Sequence, residues 1–402
     1  MKTMKNIIKC LTASLLVVNL SSCVDLDPEP LSFFAPENTF MDKEGLEALL
    51  ITSRKQIKWE WFGDAFNAGY CETPLVYEYA WSDISVMGAP EVKEIHNLET
   101  QLTPTTNMAL HLRYWDLAWN GIKYANTLIS RVPKSNIDNE DDKNQLLAEG
   151  YFHRAYWYYL LVNQWGDVPL LLEEVTGPKL DFYSTSRMKI LQQMKTDMEF
   201  AVKWLPKNVQ PGCVSRAAGE HLLAKIYLCT GDFQFAVDAT TRCINDYGLH
   251  LMKERFGVNA SDASLDVFND LFQEDNISAS ENKEAIFVVQ ERYGIEGNVA
   301  PKGSARMRNF VPYWCNGAAV KTPDGKQGTT YDAGPYEGYE WVEKLGRGIA
   351  KIRPTNYSQY AIWGKCGNDI RHNDNNWFNI SRLTYNRPAS KGGSEEYFGK
   401  PI

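Results

Sequence analysis

The sequence predicts an all-α, or mostly α, scaffold of antiparallel helical hairpins interrupted by long loop-rich insertions, and three observations carry that prediction. Apolar residues recur at helical spacing in successive segments between about residues 39 and 250. Two other stretches, 63–106 and the chain from Arg292 onward, show no sustained period, and loops of that length either carry function or wrap a scaffold. The third observation is the stretch from Ala148 to Pro169. Tyr151, Ala155, Tyr158, Val162 and Trp165 recur there at alternating steps of four and three, and Phe152, Tyr156, Tyr159 and Leu160 thicken the apolar face. A helix so apolar must be enclosed by others. Gly166 can take the left-handed conformation at its end, and Pro169 prevents it from resuming.

The 402 residues carry a formal net charge of −8, with Lys and Arg scattered among acids, so there is no basic footprint for nucleic acid. At the N-terminus Lys2, Lys5 and Lys9 precede an apolar run from Leu11 to Leu20, the order of a secretory signal too short to span a bilayer. Leu-Ser-Ser-Cys at 20–23 resembles a bacterial lipobox, which predicts a lipoprotein signal peptide over 1–22 and lipid attachment at Cys23. The acidic, Pro-rich segment 23–38 reads as a tether. Six cysteines follow Cys23: Cys71, Cys213, Cys229, Cys243, Cys315 and Cys366. None forms a C-x-x-C pair and no His stands at a ligand-like offset, so no metal site is inferred.

Taking the elements in order, Thr39 and Asp42 stand in capping-box-like spacing before a first helix with Leu46, Leu49, Leu50 and Ile57 on one side. A long helix resumes near Met108, striped by Trp115, Trp119, Ile122, Ala125, Ile129 and Val132 and ended by Pro133. The charged turn at 137–144 leads into the Ala148 helix, where Trp157, like Trp115 and Trp119, is expected in the core. Ser184, Thr185 and Ser186 offer caps for a helix carrying Met188, Leu191, Met194, Met198 and Leu205, stopped before Pro206. In 215–246, Ala224, Tyr227, Gly231 and Ala236 match the small and aromatic positions of a tetratricopeptide hairpin, with Gly231-Asp232 at its turn. Thr240 and Cys243 depart from that consensus. Successive pairs of this kind predict a right-handed helical stack. Beyond Tyr247, residues 262–274 fit one short helix and 284–290 one extended segment.

For chemistry, the sequence holds no G-x-S-x-G, H-E-x-x-H or Walker loop, and adjacent acids such as Glu173 and Glu174 usually form a solvated face. Asp324, Gly325 and Asp332 lack the spacing of a calcium loop. We therefore expect a binding protein, with no catalytic residues, metal or cofactor. Sugar rings stack their C–H faces on flat aromatic side chains, and their hydroxyls need Asp, Asn or Arg partners. The non-periodic segments hold both classes: Trp81 with Asp83 in the first, and Trp314 with Asn316, then Tyr331, Tyr336, Tyr339 and Trp341, in the second. The alternative for each aromatic is that it anchors its loop to the scaffold.

Several motifs occur together in a fixed order: the lipobox with an acidic tail, Leu26-Asp27-Pro28-Glu29-Pro30, Ala125-Asn126, Ala148-Glu149 and Arg154-Ala155-Tyr156. Trp165-Gly166-Asp167-Val168-Pro169 and Ser215-Arg216-Ala217-Ala218 follow, with Arg353-Pro354-Thr355 in a looser remainder. In this the sequence resembles the SusD/RagB family of nutrient-uptake lipoproteins. The resemblance implies a tetratricopeptide-like region over 39–250 and a loop-rich region over 251–402. It also implies lipid anchoring at the surface of the outer membrane, capture of oligosaccharides, and delivery to a SusC-like TonB-dependent transporter. A peptide-binding RagB-like protein is the alternative ligand class, and a structural adaptor without a small ligand is a third reading. The family pattern continues with a further helical pair that is absent before Ile402, so a truncated chain, aggregation-prone when expressed alone, is expected. Sedimentation of the 23–402 product tests this: self-association is the expected result, and a soluble monomer with a sharp two-state melt is the contrary one.

Overall fold

A computed structural model of the protein describes residues 40–62, 79–80, 82–88, 103, 105, 109–292, 294–295, 306–315, 319–332 and 335–402. The signal peptide, Cys23, Thr39 and most of the tether-to-helix junction lie outside the described residues.

Six helices run in chain order: α1 (Lys43–Phe62), α2 (Ala109–Arg131), α3 (Glu140–Trp165), α4 (Arg187–Trp204), α5 (Arg216–Thr230) and α6 (Phe233–Asn245). Each packs on the next, and α1 also touches α3, which gives the tetratricopeptide-like scaffold. Their ends follow local chemistry. The Asp42 carboxylate accepts from Gly45 N–H at 2.8 Å, which starts α1. Pro133 stands in a short 3₁₀ turn, Val132–Lys134, immediately past α2. Helix α3 begins earlier than its apolar face suggests. Asn139 caps the N–H groups of Asp141 and Asp142, so the charged "turn" supplies the first helical turn, where three acids complement the helix dipole. Gly166 ends α3 at φ 74°, and Gly231 turns α5 into α6 at φ 82°. The Asp167 carboxylate accepts from Arg187 N–H at 2.8 Å, and Val168 and Pro169 pair with Thr185 and Ser184 in a two-residue antiparallel ladder, so α4 is fixed to the end of α3.

The core forms where the apolar stripes meet. Trp157, Tyr158, Leu161, Ile190, Leu191, Met194 and Met198 are fully buried among α2, α3 and α4. Leu46, Leu49, Leu50, Leu128, Val132 and Leu146 close a second cluster between α1, α2 and α3. Trp115 and Trp119 are half-buried against the first cluster. Gly121 permits the close approach of α2 to α3, because a Cβ there would lie 2.0 Å from the Trp157 indole nitrogen. Ile286, Phe287 and Val289, in the expected extended segment, lie on this helical core. They help form an apolar groove of about 720 Å³ with Ile57, Phe152, Tyr156 and Leu222. The outward face of α6 stays apolar: Phe233, Val237 and Ile244 are exposed while Ala236, Ala239 and Cys243 are buried. The short helix after it is α7 (Val267–Leu271), capped by Asp266.

Buried polar groups hold the helices in register. Arg154 donates to Asp197 on α4, to Asn126 Oδ1 on α2 at 3.1 Å and to the Leu172 carbonyl at 2.8 Å. Arg131 pairs with Glu174 at 2.9 Å, so that acid is a structural partner rather than a solvated one. On the other side of α3, Arg54 forks onto Glu149 at 2.6 and 2.9 Å, with His153 Nε2 3.7 Å away. Burial works against the Glu149 charge, but the nearby His153 ring and the Arg54 fork outweigh it and hold its carboxyl below the ordinary value of 4.5. A carboxyl lowered in the folded state contributes stability above its unfolded pKa and loses it as pH falls through the folded one. Melting temperature should therefore drop on acidification below about pH 4.5, and Glu149→Gln should flatten that part of the profile while lowering stability at neutral pH. An unchanged acid slope in the variant would contradict this assignment.

Candidate functional site

The loop-rich region is built on two anchors. Strand β1 (Ser85–Met87) pairs antiparallel with a late strand, Ile352–Pro354, which joins the first non-periodic segment to the second. The Asp83 carbonyl accepts from Thr355 Oγ1 at 2.7 Å, leaving the Asp83 side chain exposed, and Ser358 Oγ donates to the Ile84 carbonyl. The second anchor is a small core of Trp314, Cys315 and Leu383 with Trp341, Val342, Leu345 and Phe378 around it. Trp314 is only 3% exposed and donates from Nε1 to the Gly346 carbonyl at 3.0 Å. Trp341 donates to Thr384 Oγ1 at 2.8 Å and meets Phe378 edge-on.

The sequence-derived candidates thus separate. Trp314 and Trp341 pack inward and hold the loops. Tyr331 is exposed, with the Arg347 guanidinium 4.9 Å above its ring. Tyr336 meets Tyr339 edge-on at 5.4 Å, and Lys391 lies 4.8 Å over Tyr336 while pairing with Asp332 at 3.5 Å. Buried Asn386 ties these tyrosines together: it accepts from Thr330 N–H and donates to the carbonyls of Thr330 and Gly338. Gly338 is required there, since it takes φ 89° and a Cβ would meet the Asn386 carbonyl at 2.8 Å. Trp81 and Asn316 lie outside the described residues.

A further aromatic cluster escaped the sequence reading. After the late strand, a π-helical turn over Tyr357–Ala361 and a 3₁₀ turn over Trp363–Lys365 bring Trp363 to the surface. Gly367, at φ 60°, turns the chain back, and Asp369 caps the turn Ile370–His372. His372 stacks on Trp363 with centroids 4.7 Å apart and planes 15° apart, and Trp377 lies 4.7 Å from His372 and 5.4 Å from Trp363. The arrangement is fixed from below. Asp266 accepts from Asn373 Nδ2 and Asn376 Nδ2, each at 2.8 Å, and Asn269 donates to Asn376 Oδ1 at 2.9 Å. Burial opposes the Asp266 charge, yet these amides and the α7 N–H groups hold its carboxyl below the usual range.

Asp369 accepts from the Arg371 side chain and backbone N–H, which draws its pKa down to about 2. That pair keeps its charges through ordinary acidity, and Arg371 lies 5.9 Å over Trp363. Tyr357, Tyr360, Ile370 and His372 are exposed beside half-buried Trp363 and Trp377. Trp363 Nε1 has no hydrogen-bond partner among the described residues. Flat apolar rings and a fixed carboxylate–guanidinium pair together can stack a sugar ring and bond its hydroxyls. The signal that could have found this cluster is the density of Trp, Gly, Asn and Asp over 363–377, which has no period. Among the described residues no group of three or more His, Cys, Asp or Glu is placed to hold a metal ion, and no helix is long and apolar enough to cross a membrane.

Known proteins similar to this chain agree with one another. Residues 72–228 match the SusD-like_3 family, described as "Starch-binding associating with outer membrane". The SusD-like protein P2 of Formosa agariphila is 29% identical over 240 residues, which is 59% of this chain and 46% of that protein. Surface glycan-binding protein A from Bacteroides thetaiotaomicron superposes with a TM-score of 0.56 at 16% identity, over 80% of this chain and 60% of that one. A SusD superfamily protein from Bacteroides vulgatus gives 0.51 at 19% identity, over 62% and 50%. A laminarin binding SusD-like protein gives 0.51 at 21% identity, over 70% and 60%. At these identities the structural likeness concerns the fold. The chain spans about half the length of the first relatives it matches, 46% of one and 50% of another.

Proposed function

The chain belongs to the SusD-like family, and from that premise we propose that it is a glycan-binding lipoprotein of the outer-membrane surface that passes oligosaccharides to a SusC-like TonB-dependent transporter. The family is described as associating with the outer membrane, and the proposed anchor is a lipid on Cys23. The helical region 39–250 acts as the scaffold and 251–402 presents the ligand surface.

One observation carries the reading: the loops place Trp363, His372 and Trp377 in a single aromatic surface, held by carboxamide and carboxylate bonds rather than enclosed in the core. Aromatic rings with satisfied polar supports suit a ligand that is amphipathic face by face, as a sugar ring is. The protein is read as a binder with no catalytic role. The two sources named for its relatives, surface glycans and laminarin, support the same ligand class.

The transport role is tested by affinity purification of the full, lipidated chain from detergent-solubilised outer membranes. A large β-barrel partner in stoichiometric amount is the expected result. Recovery of the chain alone would favour the adaptor reading, and saturable binding of peptides in place of glycans would favour the RagB-like one.

A further inference from the structure

Many arginines in the described chain have their charge matched. Arg54, Arg131, Arg154, Arg242, Arg255 and Arg371 each hold a carboxylate within ion-pair distance. The cations around Tyr331 differ from those six. Among the described residues no carboxylate lies within ion-pair distance of Arg308, Lys344 or Arg347. Arg308 Nε donates to the Arg347 backbone carbonyl at 3.1 Å, which brings the two arginines to one turn. Arg347 is exposed and lies 4.9 Å over the ring of exposed Tyr331, while Lys344 lies 5.5 Å over Trp341. The anchoring beneath is rigid, since Trp314 bonds the Gly346 carbonyl and the Ile349 N–H donates to the Arg308 carbonyl at 2.8 Å.

A guanidinium held over an aromatic ring, on a turn whose backbone carbonyl receives a second guanidinium, and with no carboxylate within ion-pair distance among the described residues, is arranged to receive an anion in the fork geometry that favours carboxylates. The guanidinium lies against the exposed ring of Tyr331, so the anion it fits is a substituent on a ring that can pack beside that tyrosine. The contrast with the Trp363 cluster is informative: there Arg371 is already committed to Asp369 at 2.5 Å, and that surface offers stacking without net charge.

We infer that the Tyr331–Arg347 surface, with Arg308 beside it, recognises an anionic sugar residue of the glycan, one bearing a carboxylate or a sulfate ester. This inference rests on the glycan-binding reading and specifies the ligand class within it. It predicts that the full chain prefers acidic oligosaccharides to neutral ones of the same ring skeleton.

The test is calorimetric titration of the full chain with oligogalacturonides, with the same oligosaccharides fully methyl-esterified, and with sulfated galactan oligosaccharides. A preference of about tenfold or more for one of the charged ligands, lost on raising salt, is expected from a charge-assisted fork. Arg347→Gln should remove about tenfold in affinity for that charged ligand and leave the methyl ester unaffected, with an unchanged melting temperature. Arg347→Lys, which keeps charge but not the fork, should recover part of the loss. The carboxylate and sulfate arms decide which anion is held. Equal affinity for charged and neutral oligosaccharides overturns this inference and leaves the glycan-binding reading standing. Failure to bind any glycan while binding peptides overturns both.

Discussion

Arg154→Ala should cost about 3–5 kcal/mol of folding stability, the loss expected when one partner of a buried ion pair is removed and the other is left behind. Arg154 is 3% exposed and Asp197 is 4% exposed, and their contact is 2.8 Å. The same guanidinium satisfies Asn126 Oδ1 and the Leu172 carbonyl, so the substitution orphans three acceptors on three elements. Burial already pushes the Asp197 carboxyl above its ordinary value despite the nearby Arg154 charge. A carboxyl raised in the folded state destabilises the fold as pH rises through its folded pKa, because its ionised form is the disfavoured one. Without Arg154 that pKa rises further, so the deficit of the variant should shrink on moving from about pH 8 to about pH 5. Urea denaturation followed by circular dichroism at both pH values checks the size and the trend. Replacing the pair together, Arg154→Met with Asp197→Leu, should recover most of the loss, since a buried pair is often no better than apolar residues of similar volume. A single substitution costing under about 1 kcal/mol would contradict the role given to this network.

Trp363→Ala should lower oligosaccharide affinity by about thirtyfold or more, the range of a central aromatic contact worth about 2 kcal/mol. Trp363 supplies the ring on which His372 stacks and which Trp377 meets, so its removal deletes the platform. The fold should tolerate the change. Trp363 is half-buried in a surface turn, and the supporting bonds from Asp266 to Asn373 and Asn376 do not involve it. Trp363→Phe should retain part of the affinity by keeping a stacking face. Titration with a bound oligosaccharide, paired with a melting curve, separates a site from an anchor: lost affinity at near-constant melting temperature identifies a site, whereas a fall of several degrees with unchanged affinity identifies an anchor.

Much of the scaffold was legible because its rules are local. Gly166 and Pro169 ended α3 where the sequence placed them, Ser215 caps α5 by accepting from Ala218 N–H, and Gly231 turns the hairpin. The short motifs proved to be structural fasteners: Asn126, Glu149 and Arg154 are buried bonding partners, and Asp167 fixes the start of α4. The Ala148 helix carries its aromatic wealth as packing, with Trp157 and Tyr158 fully buried.

The loop region was legible only as a class. Composition shows that aromatics and polar residues share a segment, but not which ring turns inward. Trp314 and Tyr331 look alike in the sequence, yet one bonds the Gly346 carbonyl inside a small core and the other is exposed under Arg347. The Trp363 surface depends on contacts between residues far apart in the chain, such as Asn373 with Asp266, 107 positions away. No periodicity records a contact of that kind.

The central claim is that this chain binds glycan through the loop-presented aromatic surface. Affinity electrophoresis of the full chain through gels containing a panel of neutral and acidic polysaccharides tests it most directly. Retarded migration on at least one polysaccharide, relieved in the Trp363→Ala protein with its fold intact, is the expected result. Unretarded migration on every polysaccharide, or retardation indifferent to that substitution and to Arg347→Gln alike, would contradict it.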